Sequence, residues 1–424
     1  MFINNKMNKG HGQQSEDAVE NLCHLLFGSD FVLRSPQLVE QSGPKELTDV
    51  LVVVDDVAVV IQSKSLAIDT SDLDLKRFGR IQKRQEEAKR QLNTTLNAHA
   101  RGAHVRATNP LNVAFDLDWN CIKKKVGVVT LHVDDELYGD PEFRFQYPQL
   151  VEEHRGIIVH TFLVNDLVQM TSELSTPADV LRYLEVREKC FLSGKVMIGN
   201  ELDFLAIFKS RYPDIEETLA EPGSFLTILP GIWEQYRKDQ TGQIQQRDHR
   251  IRNSALIDRL IKLLHTSVEY AASQSGITHQ ESALNYLKLI GKFGKLGRIE
   301  RADIGDKLVG KHEKTKASKS GHFMYVSKYA NTAYLFLLVN EQDREKRREM
   351  LEFLCVQACH TVDCAELVGI VTEGAQLRGS SFDVFVMDVL DVRSRTKPEK
   401  RVQAFDKPTY GTLHEWGPKK ARSK

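Results

Sequence analysis

The stretch from Glu46 to Lys64 reads Glu-Leu-Thr-Asp-Val-Leu-Val-Val-Val-Asp-Asp-Val-Ala-Val-Val-Ile-Gln-Ser-Lys, two runs rich in Val and Ile parted by a pair of aspartates. β-branched residues pack well on a pleated surface, and a two-residue polar break between such runs is the signal for a tight hairpin. With Asp55-Asp56 as the turn, Val54 faces Val57 and, counting outward, Asp49 faces Gln62. Side chains alternate between the faces of a strand, so Lys64 shares a face with Gln62 and sits diagonally across from Asp49. A carboxylate, an amide and an ammonium thereby converge at the open end of an apolar hairpin. Burying such groups costs free energy unless they bind something, which makes this end of the hairpin a candidate site.

At 424 residues the chain is too long for one compact core, and two or three domains are expected. Hydrophobic content of 41% with 27% charged residues is ordinary for a globular protein and excludes wholesale disorder. Lys plus Arg and Asp plus Glu balance at 58 each, so any surface for nucleic acid must be local rather than global. Six cysteines are too few for a disulfide scaffold of this size, and reduced thiols in a cytoplasmic protein are expected. The first residues hold no apolar run of signal-peptide length. The run Tyr334 to Val339 is far too short to span a bilayer, so no membrane association is expected.

Residues 1–14 read as a flexible tail. Ser15 is a candidate N-cap for a helix to about Phe27, with Ala18, Val19, Leu22, Cys23, Leu25 and Leu26 as its apolar stripe and Gly28 as its stop. Glu16 falls at the edge of that stripe, either as a first-turn acid beside the helix dipole or as a further polar group aimed at the hairpin. A short strand begins at Phe31-Val32-Leu33, and Gly43-Pro44 punctuates the approach to the hairpin. After it comes a long helix from about Leu75 to Ala98, with Phe78, Ile81, Ala88, Leu92 and Leu96 on a narrow apolar stripe. Lys76, Arg77, Arg80, Lys83, Arg84, Lys89 and Arg90 dominate the rest of it, opposed only by Glu86 and Glu87. Pairs Lys83 with Glu87 and Glu86 with Arg90 are available at helical spacing, yet a surplus of positive charge follows the candidate site, as a phosphate backbone would require.

Strands are expected near 126–133 and 156–164, then a helical stretch from Asn165 to Leu174 and another opened by Thr176-Pro177. These elements place an α/β domain over residues 15–195, followed by a connecting segment, 196–245, with a polar linker near Gln240. A smaller C-terminal α/β domain is expected over 246–392, with helices at 254–273 and 279–293, a basic glycine-containing loop from Lys292 to Lys319, strands at 323–326, 334–339, 367–372 and 382–389, and a helix at 341–359. A basic tail, 393–424, closes the chain. Cys355 and Cys359 stand one helical turn apart near His360 and Cys364, but zinc sites show tighter cysteine pairs, and a buried helix face is the better reading. No Walker-type loop, dinucleotide fingerprint or nucleophile elbow occurs.

Glu16 on a first helix, Thr48-Asp49 opening a strand, and Gln62-Ser63-Lys64 ending the hairpin's second strand resemble the PD-(D/E)XK, or restriction-endonuclease-like, nuclease core. Thr48 stands where that motif has Pro, and Gln62 where it usually has Asp or Glu. The resemblance spans roughly Ser15 to Val164 and implies a mixed sheet flanked by helices. It further implies a metal-dependent DNA endonuclease of a microbial restriction or anti-phage defence system, working with other defence proteins and as a homo-oligomer. Hydrolysing a phosphodiester requires a cation against the charge that builds on the phosphoryl oxygens, and hard oxygen ligands suit Mg²⁺, with Mn²⁺ as a substitute. The resemblance casts Asp49, Gln62 and Glu16 as metal ligands and Lys64 as the group that orients the attacking water and meets transition-state charge. Lys76, Arg77, Arg80, Lys83 and Arg84 are the expected DNA contacts. Gln62 removes one negative charge, which implies weaker metal binding than a Glu there would give or dependence on bound DNA to complete the site; the alternative is a catalytically inactive module that binds nucleic acid or protein. Glu46, three residues before Asp49, is expected to face the opposite side.

Overall fold

The computed structural model describes residues 11–40, 43–66, 74–97, 104–108, 114–140, 143, 151–241, 252–264, 278–315, 320–341, 343–373, 382–397 and 409–410. The chain divides into two compact units, Met1–Gly242 and Gln243–Lys424. Among the described residues no helix is long and apolar enough to cross a membrane. All six cysteines are free thiols.

Unit 1 is built on a mixed sheet. Its first helix, α1 (His11–Phe27), begins a turn earlier than the cap at Ser15 would set it, so Ser15 lies inside the helix. Strand β1 (Val32–Glu40) is longer than the short strand expected at residue 31, and it pairs antiparallel with β2 (Gly43–Glu46) and with β3 (Val50–Val54). Gly43-Pro44 therefore belongs to a strand, and Pro44 is tolerated because β2 is an edge that needs no ladder donor there. β3 and β4 (Val57–Ser65) form the hairpin with Val54 opposite Val57 and Val50 opposite Ile61. The turn works because Asp55 accepts a left-handed backbone at φ 56°. Every residue of β3 is buried.

Helix α2 (Asp74–Leu96) then crosses the sheet, and β7 (Lys124–His132) returns parallel to β4. Two short strands between them, β5 (His104–Thr108) and β6 (Ala114–Leu117), extend the sheet beyond β1. After the short helix α3 (Asp135–Gly139), β8 (Val151–His154) and β9 (Ile157–Leu163) complete the order β6-β5-β1-β3-β4-β7-β9-β8, with β9 parallel to β7. Gly127 lets α2 approach closely, since a Cβ there would meet Val159 at 3.3 Å and Leu92 at 3.4 Å. On the other face α1 packs with α4 (Val164–Met170) and α5 (Pro177–Ser193). Val19, Leu22, Cys23 and Leu26 meet Val59, Ile61, Val128 and Phe162 around a void of about 30 Å³. Thr176 caps α5 by accepting from the Asp179 amide at 3.2 Å, with Pro177 in the first turn as expected.

Residues 196–241 are more than a connection. β10 (Val196–Ile198) pairs parallel with β11 (Leu226–Ile228), and α6 (Glu201–Ser210) buries every residue from Glu201 to Phe208 within unit 1. α7 (Tyr212–Ala220) and α8 (Ile232–Thr241) finish this part. Arg187 of α5 forks onto Glu201 of α6 at 2.9 Å, both fully buried, and the Tyr183 hydroxyl donates to the same carboxylate. Arg187 also faces His160 Nδ1 at 3.3 Å, and burial and the guanidinium push His160 well below its ordinary pKa. The linker expected at Gln240 lies largely outside the described residues.

Unit 2 is a five-stranded mixed sheet between two helical layers. Helix α9 (252–264), α10 (His279–Gly294) and α11 (Arg298–Thr315) precede β12 (Ser320–Ser327) and β13 (Thr332–Val339). The basic stretch from Lys292 to Lys319, read as a loop, is thus largely helical. α12 (Arg344–Cys359) leads to β14 (Glu366–Glu373), parallel to β13, and then to β15 (Phe382–Asp388), α13 (Val389–Arg395) and the short β16 (Thr409–Tyr410). Cys355 and Cys359 are fully buried in the core with Leu335, Leu337, Leu351 and Val371, on a buried helix face as expected. Gly369 is required there, because a Cβ would collide with Cys355 Sγ. Of the tail, residues 393–397 and 409–410 are described.

A candidate active site at the carboxyl end of the hairpin

The ladder that ends at Val50 opposite Ile61 carries Asp49 and Gln62 past it side by side. Gln62 Nε2 donates to Asp49 Oδ1 at 2.6 Å, and the backbone N–H of Ser63 donates to Asp49 Oδ2 at 2.6 Å. Both oxygens of one carboxylate are thereby fixed by the strand opposite. The segment that presents Asp49 is pinned as well: the Leu47 amide donates to the Pro36 carbonyl at 2.9 Å, Thr48 Oγ1 to the Ile61 carbonyl at 2.7 Å and Thr95 Oγ1 of α2 to the Leu47 carbonyl at 2.5 Å. Thr48 accordingly holds the hairpin open end in register from the position before Asp49.

Gln62 is buried and Lys64 half-buried. Burial raises the Asp49 pKa first, and Glu46 adds to the rise, while the Ser63 amide, Lys64 and Gln62 oppose it. Glu16 is raised too, by burial and then by the negative charges of Asp49 and Glu46, with Lys64 opposing. The charges of Asp49 and Lys64 are thus both felt at Glu16, and that of Lys64 at Asp49. Ser15 makes this possible: its hydroxyl lies 3.0 Å from that of Ser63, both buried, and locks α1 against β4 beside the Asp49 contact. Glu46, the last residue of β2, is exposed, and its negative charge adds to the rise at both Asp49 and Glu16.

No family model, curated protein or solved structure matches this chain.

The cationic helix differs in detail from its reading in the sequence. Lys89 is not part of an exposed surface; it is buried, with contacts of 2.5 Å to Glu86 and 2.5 Å to Glu152 of β8. Arg84, rather than Lys83, pairs with Glu87, at 2.8 Å, and Glu86 pairs with Lys89 rather than Arg90. Arg80, Lys83, Arg84 and Arg90 remain exposed. Lys76 and Arg77 lie on the first turn of α2, their side chains outside the described residues. Glu87 ties this helix to the site: Arg84 lowers its pKa most, and both Lys83 and Lys64 reach it electrostatically. Helix α2 itself packs against β4 and β7.

Among the described residues no three His, Cys, Asp or Glu side chains are grouped closely enough to hold a metal. Donor chemistry nevertheless suits a hard cation. Asp49 and Glu16 repel each other as anions in a partly buried site, which a cation relieves, and each Asp49 oxygen keeps a lone pair beyond its one hydrogen bond. Gln62 would have to turn its amide to offer oxygen in place of nitrogen.

Proposed function

We propose that unit 1 is a metal-dependent nuclease hydrolysing DNA phosphodiester bonds, with a restriction-endonuclease-like core. The observation that carries this reading is the side-by-side placement of Asp49 and Gln62, with Lys64 on the same strand and Glu16 on α1, in a mixed sheet flanked by helices. Asp49 and Glu16, with the Gln62 amide oxygen, would hold Mg²⁺ or Mn²⁺, which supplies Lewis-acid neutralisation of phosphoryl charge. Asp49 is the preformed anchor, its carboxylate oriented by Gln62 and the Ser63 amide. Lys64 places a fixed positive charge where the attacking water and the charged phosphoryl oxygens meet. Arg80, Lys83 and Arg84 receive the DNA backbone along α2. A role in microbial restriction or antiviral defence, with partner proteins and a homo-oligomer to cut both strands, belongs to the same reading.

A second reading has a specific observation behind it. Gln62 gives the site one carboxylate fewer and turns its amide nitrogen toward Asp49, as befits a nuclease-like module that binds nucleic acid or protein without cutting. Titration of the purified chain with Mg²⁺ and Mn²⁺, alone and with duplex DNA, followed by incubation with plasmid and linear DNA, separates the two. The nuclease reading expects metal binding that DNA strengthens, and metal-dependent strand breaks. Absence of metal binding in every arm sinks it in favour of the binder.

A further inference from the structure

Unit 2 contains a cavity that the nuclease chemistry does not use. It has a volume of about 370 Å³ and lies between α9 and the sheet, against Phe336 of β13, Ile370 and Thr372 of β14 and Phe382 of β15. That is within the roughly 300–1,000 Å³ of small-molecule sites. Phe336 stands opposite Ile370 in the parallel pair β13–β14, and Thr372 opposite Phe382 in the antiparallel pair β14–β15, so the four line one stretch of the sheet.

The helical wall supplies the chemistry. Leu256, Leu260 and Leu263 recur at helical spacing and face the sheet, while Arg259 and Lys262, one residue before Leu260 and Leu263, line the same cavity from exposed positions. Neither cation has a hydrogen-bond or ion-pair partner among the described residues. Among the described residues no carboxylate lines the cavity, and the Thr372 hydroxyl is the further polar group there. An apolar chamber with two cations at its rim is complementary to one class of ligand. Lipophilic cations are excluded by Arg259 and Lys262, and fully hydrophilic anions gain nothing from the leucine and phenylalanine walls.

We propose that unit 2 binds a small amphiphilic anion, a carboxylate carried on an apolar body of about ten carbons, with the body against Phe336, Ile370 and Phe382 and the head between Arg259 and Lys262. The site is independent of the nuclease reading, since all of its residues belong to unit 2.

Calorimetric titration of the full chain with sodium decanoate tests this, with decanol as the neutral probe and decylamine as the cationic one. One saturable decanoate site per chain is expected, with decanol and decylamine at least about tenfold weaker. The double variant R259E/K262E, changed only at exposed positions, is expected to bind decanoate at least about tenfold more weakly while unfolding at the parental temperature. Leu308→Trp, which fills the chamber from α11, is expected to abolish binding; if that variant fails to fold, R259E/K262E decides alone. Absence of saturable binding, equal binding of decylamine, or undiminished binding by R259E/K262E overturns the proposal.

Discussion

Gln62 donates its amide hydrogen to Asp49 across the open end of the hairpin at 2.6 Å, and this bond replaces the carboxylate pair that a Glu at the same position would create. One neighbour thus orients Asp49 without adding charge. The consequence is a hydrogen-bonded pair that carries one carboxylate rather than two.

Gln62→Glu reverses that balance. A second carboxylate at hydrogen-bond distance from Asp49 forces one of the two to keep a proton, so the metal-free protein should lose roughly 1–3 kcal/mol of stability at neutral pH. The same change should strengthen Mg²⁺ binding by about tenfold or more. Thermal unfolding with and without Mg²⁺ checks both; an unchanged melting temperature with unchanged Mg²⁺ affinity would show that Gln62 is remote from any cation.

Acidity offers an independent check. The folded-state pKa values of Glu16 and Asp49 lie above their ordinary values of 4.5 and 3.8. Between the ordinary and the raised value the folded state holds more protons than the unfolded chain, so stability falls as pH rises through that window and the penalty persists above it. The metal-free protein should therefore lose stability from these two groups as pH rises upward from the ordinary carboxylate range. The double variant E16Q/D49N should show a smaller loss over the same window. Denaturant unfolding as a function of pH measures the difference; identical profiles would remove the two acids from a shared site.

Elsewhere in unit 1, Arg187 and Glu201 are both fully buried, and removing one partner strands a charge. Arg187→Met should cost about 3–5 kcal/mol, whereas R187M/E201L should cost much less. Urea denaturation of the two variants tests this, and equal losses would show that the ion pair is not the source.

Binding through α2 makes a prediction about salt. Arg80→Gln with Lys83→Gln should leave the fold intact, because both side chains are exposed. It should flatten the plot of log affinity against log salt by about 0.9 for each lost phosphate contact. Fluorescence anisotropy with duplex DNA reads the slope; parental affinity and slope would place DNA elsewhere.

The hairpin and its register were legible because a period of two, β-branched runs and a two-residue turn all specify the same pairing. The same held for α2 and α5, where long apolar stripes and Thr176-Pro177 set the elements. Less was legible where the signal was short or polar. β2, β5, β6 and β8 are brief strands at or near the sheet edge, with little alternation to betray them, and Pro44 looked like a breaker although an edge strand accepts it. Ser15 resembled a helix cap because capping depends only on neighbours in sequence, while its bond to Ser63 joins residues 48 apart. Lys89 reads as surface charge in the sequence because its partner Glu152 lies on a strand distant along the chain.

Cleavage of supercoiled plasmid by the full chain in Mg²⁺, compared with Lys64→Ala and Asp49→Asn, addresses the central claim most directly. Asp49→Asn preserves an oxygen to accept the Ser63 amide, and Lys64 is only half-buried, so both variants should fold. The account predicts metal-dependent nicking or linearisation by the parent and a loss of about 100-fold or more in rate for each variant. Parental rates in both variants would contradict it.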